Sequence, residues 1–117
     1  CKLERKNIEN QNVVKVITNE DIKKNKFSSA KFFFRTLENK KSENVFHHIG
    51  IYIYKVSILE KFVSLKQSSN ELKFKLEQLR ALDNNIKIDV IFANSTPLGV
   101  DTHKDYLEIK KLMEYKS

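Results

Sequence analysis

The segment from residue 46 to residue 54 constrains the fold more than any other part of this chain. It is rich in β-branched and aromatic residues, which favour a β-strand. Apolar residues fall on both of its faces, as in strands that are covered on two sides. The sequence therefore predicts a strand here that lies centrally in a sheet.

Two capping boxes predict helices after this strand. Ser57 with Glu60 marks one helix start, and Ser68 with Glu71 marks the next. In each pair the serine can accept a backbone hydrogen bond while the acidic side chain bonds back. The second helix is predicted over residues 69–82. The expected apolar positions are Ile58, Leu59, Phe62 and Leu65 in the first helix, and Leu72, Leu76, Leu79 and Leu82 in the second.

The remaining elements complete an alternating order. Strands are predicted over residues 13–17, 26–34 and 86–92, with a polar loop over 38–44. Thr102 is expected to cap a last helix, with Asp105 at the capping-box position. Its inward-facing residues are expected to be Leu107, Ile109, Leu112 and Met113. This order predicts an α/β layered domain over residues 13–117, preceded by a polar N-terminal remnant at 1–12.

Composition narrows the class of protein. The chain has 117 residues, of which 40% are hydrophobic, enough for one small domain with a core. Its single cysteine, Cys1, cannot form an internal disulfide. No apolar run approaches the ~20 residues of a membrane span, and no signal-peptide pattern is visible. We therefore expect a cytoplasmic protein without a membrane partner.

The net charge of +7 does not indicate nucleic-acid binding. Nearly all of the positive charge is lysine, dispersed among other residues, and arginine occurs only at Arg5, Arg35 and Arg80. Arginine is the usual reader of base edges and phosphate pairs. Solvated lysine faces explain the charge better, so no nucleic-acid partner is expected.

Asp101 is the first candidate site residue, because it is expected at the end of a strand, directly before a helix start. A carboxylate there can bind Mg²⁺, which takes carboxylate and phosphate oxygens. The alternative is a capping aspartate that shares this role with Thr102.

A second group of candidates follows the strand that begins at residue 46. His48, Gly50, Tyr52 and Tyr54 have the same parity, so their positions share one face of a strand. Glycine between a histidine and a tyrosine would let a ligand approach the sheet. The alternative is a structural histidine beside tyrosines that pack at a rim.

Glu77, Gln78 and Arg80 lie within the predicted second helix. Glu77 either binds a ligand or pairs with nearby lysines on the surface, and Gln78 either binds a ligand or is part of a solvated face. Arg80 is either an anion-binding group or the ion-pair partner of Glu77.

Three motifs in order resemble one family. They are His48-Ile-Gly-Ile-Tyr-Ile-Tyr-Lys55, Leu76-Glu-Gln-Leu-Arg-Ala-Leu82 and Gly99-Val-Asp-Thr102. These are similar to the C-terminal half of the CMP-KDO synthetases, or 3-deoxy-manno-octulosonate cytidylyltransferases, over about residues 13–113. The resemblance implies a partial nucleotide-diphospho-sugar-transferase-like, Rossmann-like layered fold.

The resemblance also implies an activity and roles. The family joins CTP to the acid sugar KDO, releasing pyrophosphate and CMP-KDO for lipopolysaccharide assembly. By motif position, Asp101 corresponds to a catalytic Mg²⁺ ligand. His48, Tyr52, Glu77 and Gln78 correspond to groups lining the sugar pocket. A homodimer, or pairing with a missing N-terminal half, is the expected assembly.

The chain departs from the family pattern in two respects. The family's phosphate-gripping loop and its Gln-Gly-Asp motif are not in this sequence, and Ser29 replaces the arginine of the Phe-Ser-Arg-Ala segment. We therefore expect a cytidylyltransferase-derived chain that is incomplete and inactive alone. The alternative is a non-catalytic interaction or oligomerisation module that retains relic motifs.

Overall fold

The computed structural model describes residues 9–36, 44–95 and 98–116. Its centre is an antiparallel sheet in the order β3-β1-β2-β4. The strands are β1 (Lys15–Thr18), β2 (Phe27–Phe34), β3 (Val45–His47) and β4 (Asp89–Ile91). The helices are α1 (Ile22–Asn25), α2 (Val56–Ser64), α3 (Ser69–Phe74), α4 (Leu79–Asp83) and α5 (His103–Lys116).

The core forms where β1 lies between β2 and β3. Val16 is opposite Phe33 on one side and Phe46 on the other. All three side chains are buried, and Leu79 of α4 is fully buried against the same cluster. Helices on a sheet therefore share one apolar core, which confirms the α/β class predicted from the order of elements.

The strand predicted over residues 46–54 is wrong in length and position. β3 ends at His47 and lies at the edge of the sheet. After it, the Ile51 N–H donates to the Ile49 carbonyl at 2.8 Å, and the side chains of Ile51 and Ile53 are 79% and 96% exposed. The run has the composition of a central strand, but no strand of the described chain pairs with residues 49–54.

The first of the predicted helices, α2, begins two residues before its predicted start. Its N-cap is Lys55, and no side chain caps it, so the Ser57 capping box is wrong. Of its predicted apolar positions only Phe62 is buried, while Leu59 is exposed.

The predicted second helix is two short helices. Ser68 and Glu71 form the predicted capping box at the start of α3. Lys75 then adopts a left-handed backbone with φ 54°, which ends α3 before α4 begins at Leu79. This break changes the helical register, so that Leu76 and Leu79 are buried while Leu72 is 59% exposed.

The last helix, α5, is correctly capped but not packed. The Asp105 N–H donates to Thr102 Oγ1 at 3.2 Å, and the Thr102 N–H donates to Asp105 Oδ2 at 2.9 Å. Its apolar side chains do not face inward as predicted: Leu107, Leu112 and Met113 are exposed and Ile109 is half-buried. Within the described residues, α5 makes no extensive contact with another helix or strand.

Two predicted segments lie partly outside the described residues. These are the polar remnant at 1–12, described from residue 9, and the polar loop at 38–44, described only at Asn44.

Candidate functional site

His48 and Tyr52 form a hydrogen-bonded pair just beyond β3. The His48 Nε2 atom lies 2.7 Å from the Tyr52 hydroxyl, and Phe33 packs edge-on against the imidazole at 5.4 Å. Tyr54 follows on the same side, with its ring centre 6.1 Å from that of Tyr52. The shared face predicted from parity is thus present, although the backbone here is not a paired strand.

Burial shifts the pKa of both members of this pair further from neutral pH. It lowers the pKa of His48 to about 4, and the neighbouring His47 lowers it further in the same direction. Burial also raises the pKa of Tyr52 above its usual range, with Tyr54 and the charge of Glu77 acting in the same sense. At neutral pH the pair is therefore a neutral imidazole and a neutral phenol, which can donate to and accept from sugar hydroxyls.

The side chain of His47 does not share this environment. Its Nδ1 atom is buried and has no hydrogen-bond partner among the described residues. Burial lowers the pKa of His47 as well.

The approach of a ligand to the backbone at Gly50 stays a prediction. A Cβ built on it would meet no atom within 4 Å, so the space there is open with or without a side chain.

Glu77 and Gln78 lie at the turn between α3 and α4. Gln78 is the N-cap residue of α4 and is half-buried, while Glu77 is exposed. The negative charge of Glu77 acts on both Tyr52 and Arg80, raising the pKa of each. The charge of Glu77 is therefore felt at Tyr52, and it stays a prediction that this turn and the histidine–tyrosine pair are two sides of one site.

Arg80 pairs with Glu71 and not with Glu77. Its Nε donates to Glu71 Oε2 at 2.9 Å and its Nη2 to Glu71 Oε1 at 2.6 Å. These bonds are the main cause that lowers the pKa of Glu71 to about 2. The nine-residue separation of the pair crosses the helix break, so helical spacing could not have predicted it.

An open cleft of about 500 Å³ borders this turn. Its lining contains both partners of the Arg80–Glu71 ion pair and the Glu77 carboxylate. The lining residues are Gln67, Glu71, Leu72, Lys75, Leu76, Glu77 and Arg80.

Asp101 is exposed and directly precedes the capping residue of α5. The capping alternative is wrong, since the capping side chains are Thr102 and Asp105, and Asp101 contributes only its N–H to Asp105 Oδ2 at 3.2 Å. No hydrogen bond or ion pair within the described residues joins Asp101 to His48, Tyr52, Glu77 or Gln78.

The described residues do not form a complete metal site of protein side chains. In the described ranges no three His, Cys, Asp or Glu side chains come together as metal ligands. A single carboxylate such as that of Asp101 is compatible with Mg²⁺, because Mg²⁺ is commonly held by one or two carboxylates plus waters and substrate phosphates.

Ser29 lies on β2, half-buried. Its Oγ accepts a hydrogen bond from Asn19 Nδ2 at 2.6 Å. The position that carries an arginine in the resembled family thus carries a neutral hydroxyl that is already bonded.

No helix among the described residues combines the length and apolar character needed to cross a bilayer.

Comparison with known proteins identifies the family. The family described as Cytidylyltransferase matches residues 2–88, a range that includes His48, Tyr52, Glu77 and Gln78 but not Asp101. The 3-deoxy-manno-octulosonate cytidylyltransferase of Bartonella tribocorum is 45% identical over 102 residues, covering 87% of this chain. That of Sinorhizobium medicae is 40% identical over 108 residues, covering 92%. The match to the Sinorhizobium medicae protein includes Asp101. It leaves fewer residues of this chain unmatched than the number of residues that follow Asp101, so it cannot end before Asp101.

A solved structure shows the same fold. It is titled as CMP:2-keto-3-deoxy-manno-octonic acid synthetase complexed with CTP, and it matches 98% of this chain with a TM-score of 0.77 and 26% identity. The chain covers 47% of that protein and 41–42% of the two curated relatives. The predicted partial nucleotidyltransferase-like fold is therefore confirmed, and the chain belongs to the cytidylyltransferase family, in which it resembles the CMP-KDO synthetases.

Proposed function

We propose that this chain supplies the sugar-acid-binding part of a cytidylyltransferase that makes CMP-KDO from CTP and KDO. The observation that carries the proposal is the His48–Tyr52 pair, held at 2.7 Å, with the Glu77 charge beside it. These residues lie in the range matched by the family and belong to the motifs that resemble it.

The chemistry of these side chains suits a polyhydroxylated acid. A neutral imidazole, a phenol, an amide and a carboxylate offer the mixed donors and acceptors that hydroxyl groups need. Because His48 is uncharged at neutral pH, it would orient hydroxyls and would not pair with the sugar carboxylate. With Ser29 where the family has arginine, that carboxylate loses one charged hydrogen bond, worth roughly 1.5–3 kcal/mol.

The proposed reaction is nucleotidyl transfer. The anomeric hydroxyl of KDO attacks the α-phosphorus of CTP and forms a new O–P bond, and its proton is released to solvent. The bond between the α-phosphorus and the oxygen that bridges to the β-phosphate breaks, and pyrophosphate leaves with that oxygen and the bonding electron pair. In this step His48, Tyr52, Glu77 and Gln78 bind and orient the sugar.

We propose Asp101 as the residue that would hold Mg²⁺. The ion would offset the charge that develops on the phosphate oxygens. Asp101 suits this role because its carboxylate is exposed and is not used to cap α5.

Catalysis would need a nucleotide-binding part and an assembly. The chain spans about 41% of the length of the Bartonella tribocorum relative. We propose that the exposed apolar residues of α5 pack on a nucleotide-binding part, and that Ile51 and Ile53 contribute to a homodimer contact. We propose that the chain is cytoplasmic, because its proposed substrate CTP is a cytoplasmic nucleotide.

A reconstituted reaction tests this proposal. The chain is mixed with the N-terminal part of the Bartonella tribocorum enzyme, and CMP-KDO formation is followed with CTP, KDO and Mg²⁺. We expect Mg²⁺-dependent product from the wild-type chain and none from Asp101→Asn. Glu108→Gln, which removes another exposed carboxylate seven residues further along on α5, is the matched control and should leave turnover unchanged. Undiminished turnover by Asp101→Asn would refute the metal role.

A second candidate function is an interaction module with relic motifs. Exposed apolar side chains favour it, since Ile53 is 96% and Tyr115 is 92% exposed. A stable oligomer that shows no KDO binding would support this module against the enzyme part.

A further inference from the structure

One continuous line of side chains runs beside the candidate site. The ring centres of Tyr52 and Tyr54 lie 6.1 Å apart, as do those of Tyr54 and Phe62. The guanidinium carbon of Arg80 lies 4.8 Å from the centre of the Phe62 ring. We call this line, from Tyr52 through Tyr54 and Phe62 to Arg80, the aromatic row.

The aromatic row is the main attachment of α2. Phe62 is the buried residue of this helix, while Leu59 and Val63 on either side are exposed. A short helix is held in place chiefly by the apolar surface that it buries. Because Phe62 contacts Tyr54 at one edge and Arg80 at another, α2 is fixed through the row.

The Arg80 end of the row is held rigidly. Arg80 binds Glu71 through two parallel hydrogen bonds, and the two side chains are 14% and 6% exposed. Glu71 Oε2 also accepts from the Ser68 N–H at 3.1 Å. A bidentate pair fixes orientation as well as distance. Arg80 in α4 is thereby tied to the start of α3, across the turn that carries Glu77 and Gln78.

We propose that Arg80 is a positioning residue for the candidate site. Through Phe62 and Glu71 it holds the turn with Glu77 and Gln78 at a fixed separation from His48 and Tyr52. The nature of the ligand rests on the proposed function, whereas the coupling between the two sides of the site does not. Small displacements of such groups weaken binding and turnover strongly.

The test uses two variants at different points of the row. Arg80→Lys keeps the charge but removes the bidentate geometry, and Phe62→Leu keeps an apolar side chain but removes the ring. Lys87→Met is the matched control, because Lys87 is exposed just before β4 and pairs with Asp89 at 3.1 Å. Thermal unfolding of each protein fixes a temperature at which all are folded.

The first readout is the pKa of His48, followed by NMR of its imidazole. It is expected near 4 in the wild-type chain and in Lys87→Met. In Arg80→Lys and Phe62→Leu it should rise towards 6.5, because Tyr52 loses its backing and water reaches the ring. The titratable groups that face His48, namely His47 and Tyr52, are unchanged in all variants.

The second readout is the dissociation constant of KDO. It should rise about tenfold or more in Arg80→Lys and stay constant in Lys87→Met. The inference is overturned if the pKa of His48 stays near 4 in both Arg80→Lys and Phe62→Leu. This holds even if KDO binding weakens, because Arg80 would then act by contacting the ligand itself. If the wild-type chain binds no KDO while the His48 pKa still responds, the proposed function fails and the positioning role stands.

Discussion

Two regions of the molecule carry similar sequence signals but differ in packing. One is the sheet with α3 and α4, and the other is the C-terminal helix α5. Both α3 and α5 start with a capping box that forms as expected. After α3, Leu76 in the turn and Leu79 of α4 are buried in the core, whereas Leu107, Leu112 and Met113 of α5 are exposed. The comparison shows that capping signals specify where a helix starts and not what it packs against.

The candidate site is divided between these two regions. His48, Tyr52, Glu77 and Gln78 are positioned by the sheet and by α3 and α4, which share the buried core. Asp101 precedes α5 and is joined to the other four by no hydrogen bond within the described residues. The proposed sugar-binding role thus involves residues of the packed region, whereas the proposed metal role involves a residue at the start of the unpacked helix α5.

The largest expected effect compares one leucine from each region. Leu79 is 0% exposed and Leu112 is 49% exposed. Leu79→Ala removes a fully packed side chain and should lower the free energy of unfolding by about 2–5 kcal/mol, measured by urea denaturation. Leu112→Ala, the matched control, should lower it by less than about 1 kcal/mol. Equal losses would contradict the division into a packed and an unpacked region.

The pH dependence of stability should come from the packed region. The pKa of His48 is about 4 in the folded chain against 6.5 when unperturbed, so the unfolded state binds its proton first as pH falls. Stability should therefore decrease between pH 6.5 and pH 4, with a slope below about 1.4 kcal/mol per pH unit for this one group. Urea denaturation at a series of pH values measures this slope.

His48→Asn provides the control for that slope. Its stability should be flatter between pH 6.5 and pH 4. Below pH 4.5 the slope should reappear in both proteins, because Glu71, with a pKa of about 2, loses its pairing only when it is protonated. An unaltered slope in His48→Asn above pH 4.5 would assign the effect to another group.

A smaller effect compares the two caps. Ser68→Ala removes the side chain that caps α3 and should lower the free energy of unfolding by about 1 kcal/mol. Thr102→Ala should reduce the helicity of α5, seen by circular dichroism, with little change in the unfolding of the core. A loss of core stability in Thr102→Ala equal to that in Ser68→Ala would show that α5 packs on the core in solution.

The smallest effect is expected at Ser57. Because α2 begins at Val56 without a side-chain cap, Ser57→Ala should change the free energy of unfolding by less than about 0.5 kcal/mol. A loss near 1 kcal/mol would place the start of α2 where the sequence predicted it.

Local signals predicted much of the fold. The β-branched run at β1, the capping boxes of α3 and α5, and the position of His48 and Tyr52 on one side of the chain were all accessible from the sequence. Each depends on residues within four positions of one another. The family motifs added the part of the site at Glu77 and Gln78.

Features that depend on distant partners were not predictable. The strand at residues 46–54 was overestimated because composition does not report whether a neighbouring strand is present. The break at Lys75 and the Arg80–Glu71 pair arise from packing across the turn. Lys15 reads as a polar position in a strand, yet it is fully buried, and its Nζ donates to the Asn10 and Arg35 carbonyls.

The most direct test of the central claim is calorimetric titration of this chain with KDO, without CTP or any partner. The account predicts a dissociation constant in the millimolar range or below. Tyr52→Phe should raise this constant about 2- to 10-fold, because one hydrogen bond is lost. Tyr115→Phe, on the exposed face of α5, should bind as the wild type does. Absence of binding by the folded wild-type chain, or equal affinity of Tyr52→Phe and the wild type, would contradict the account.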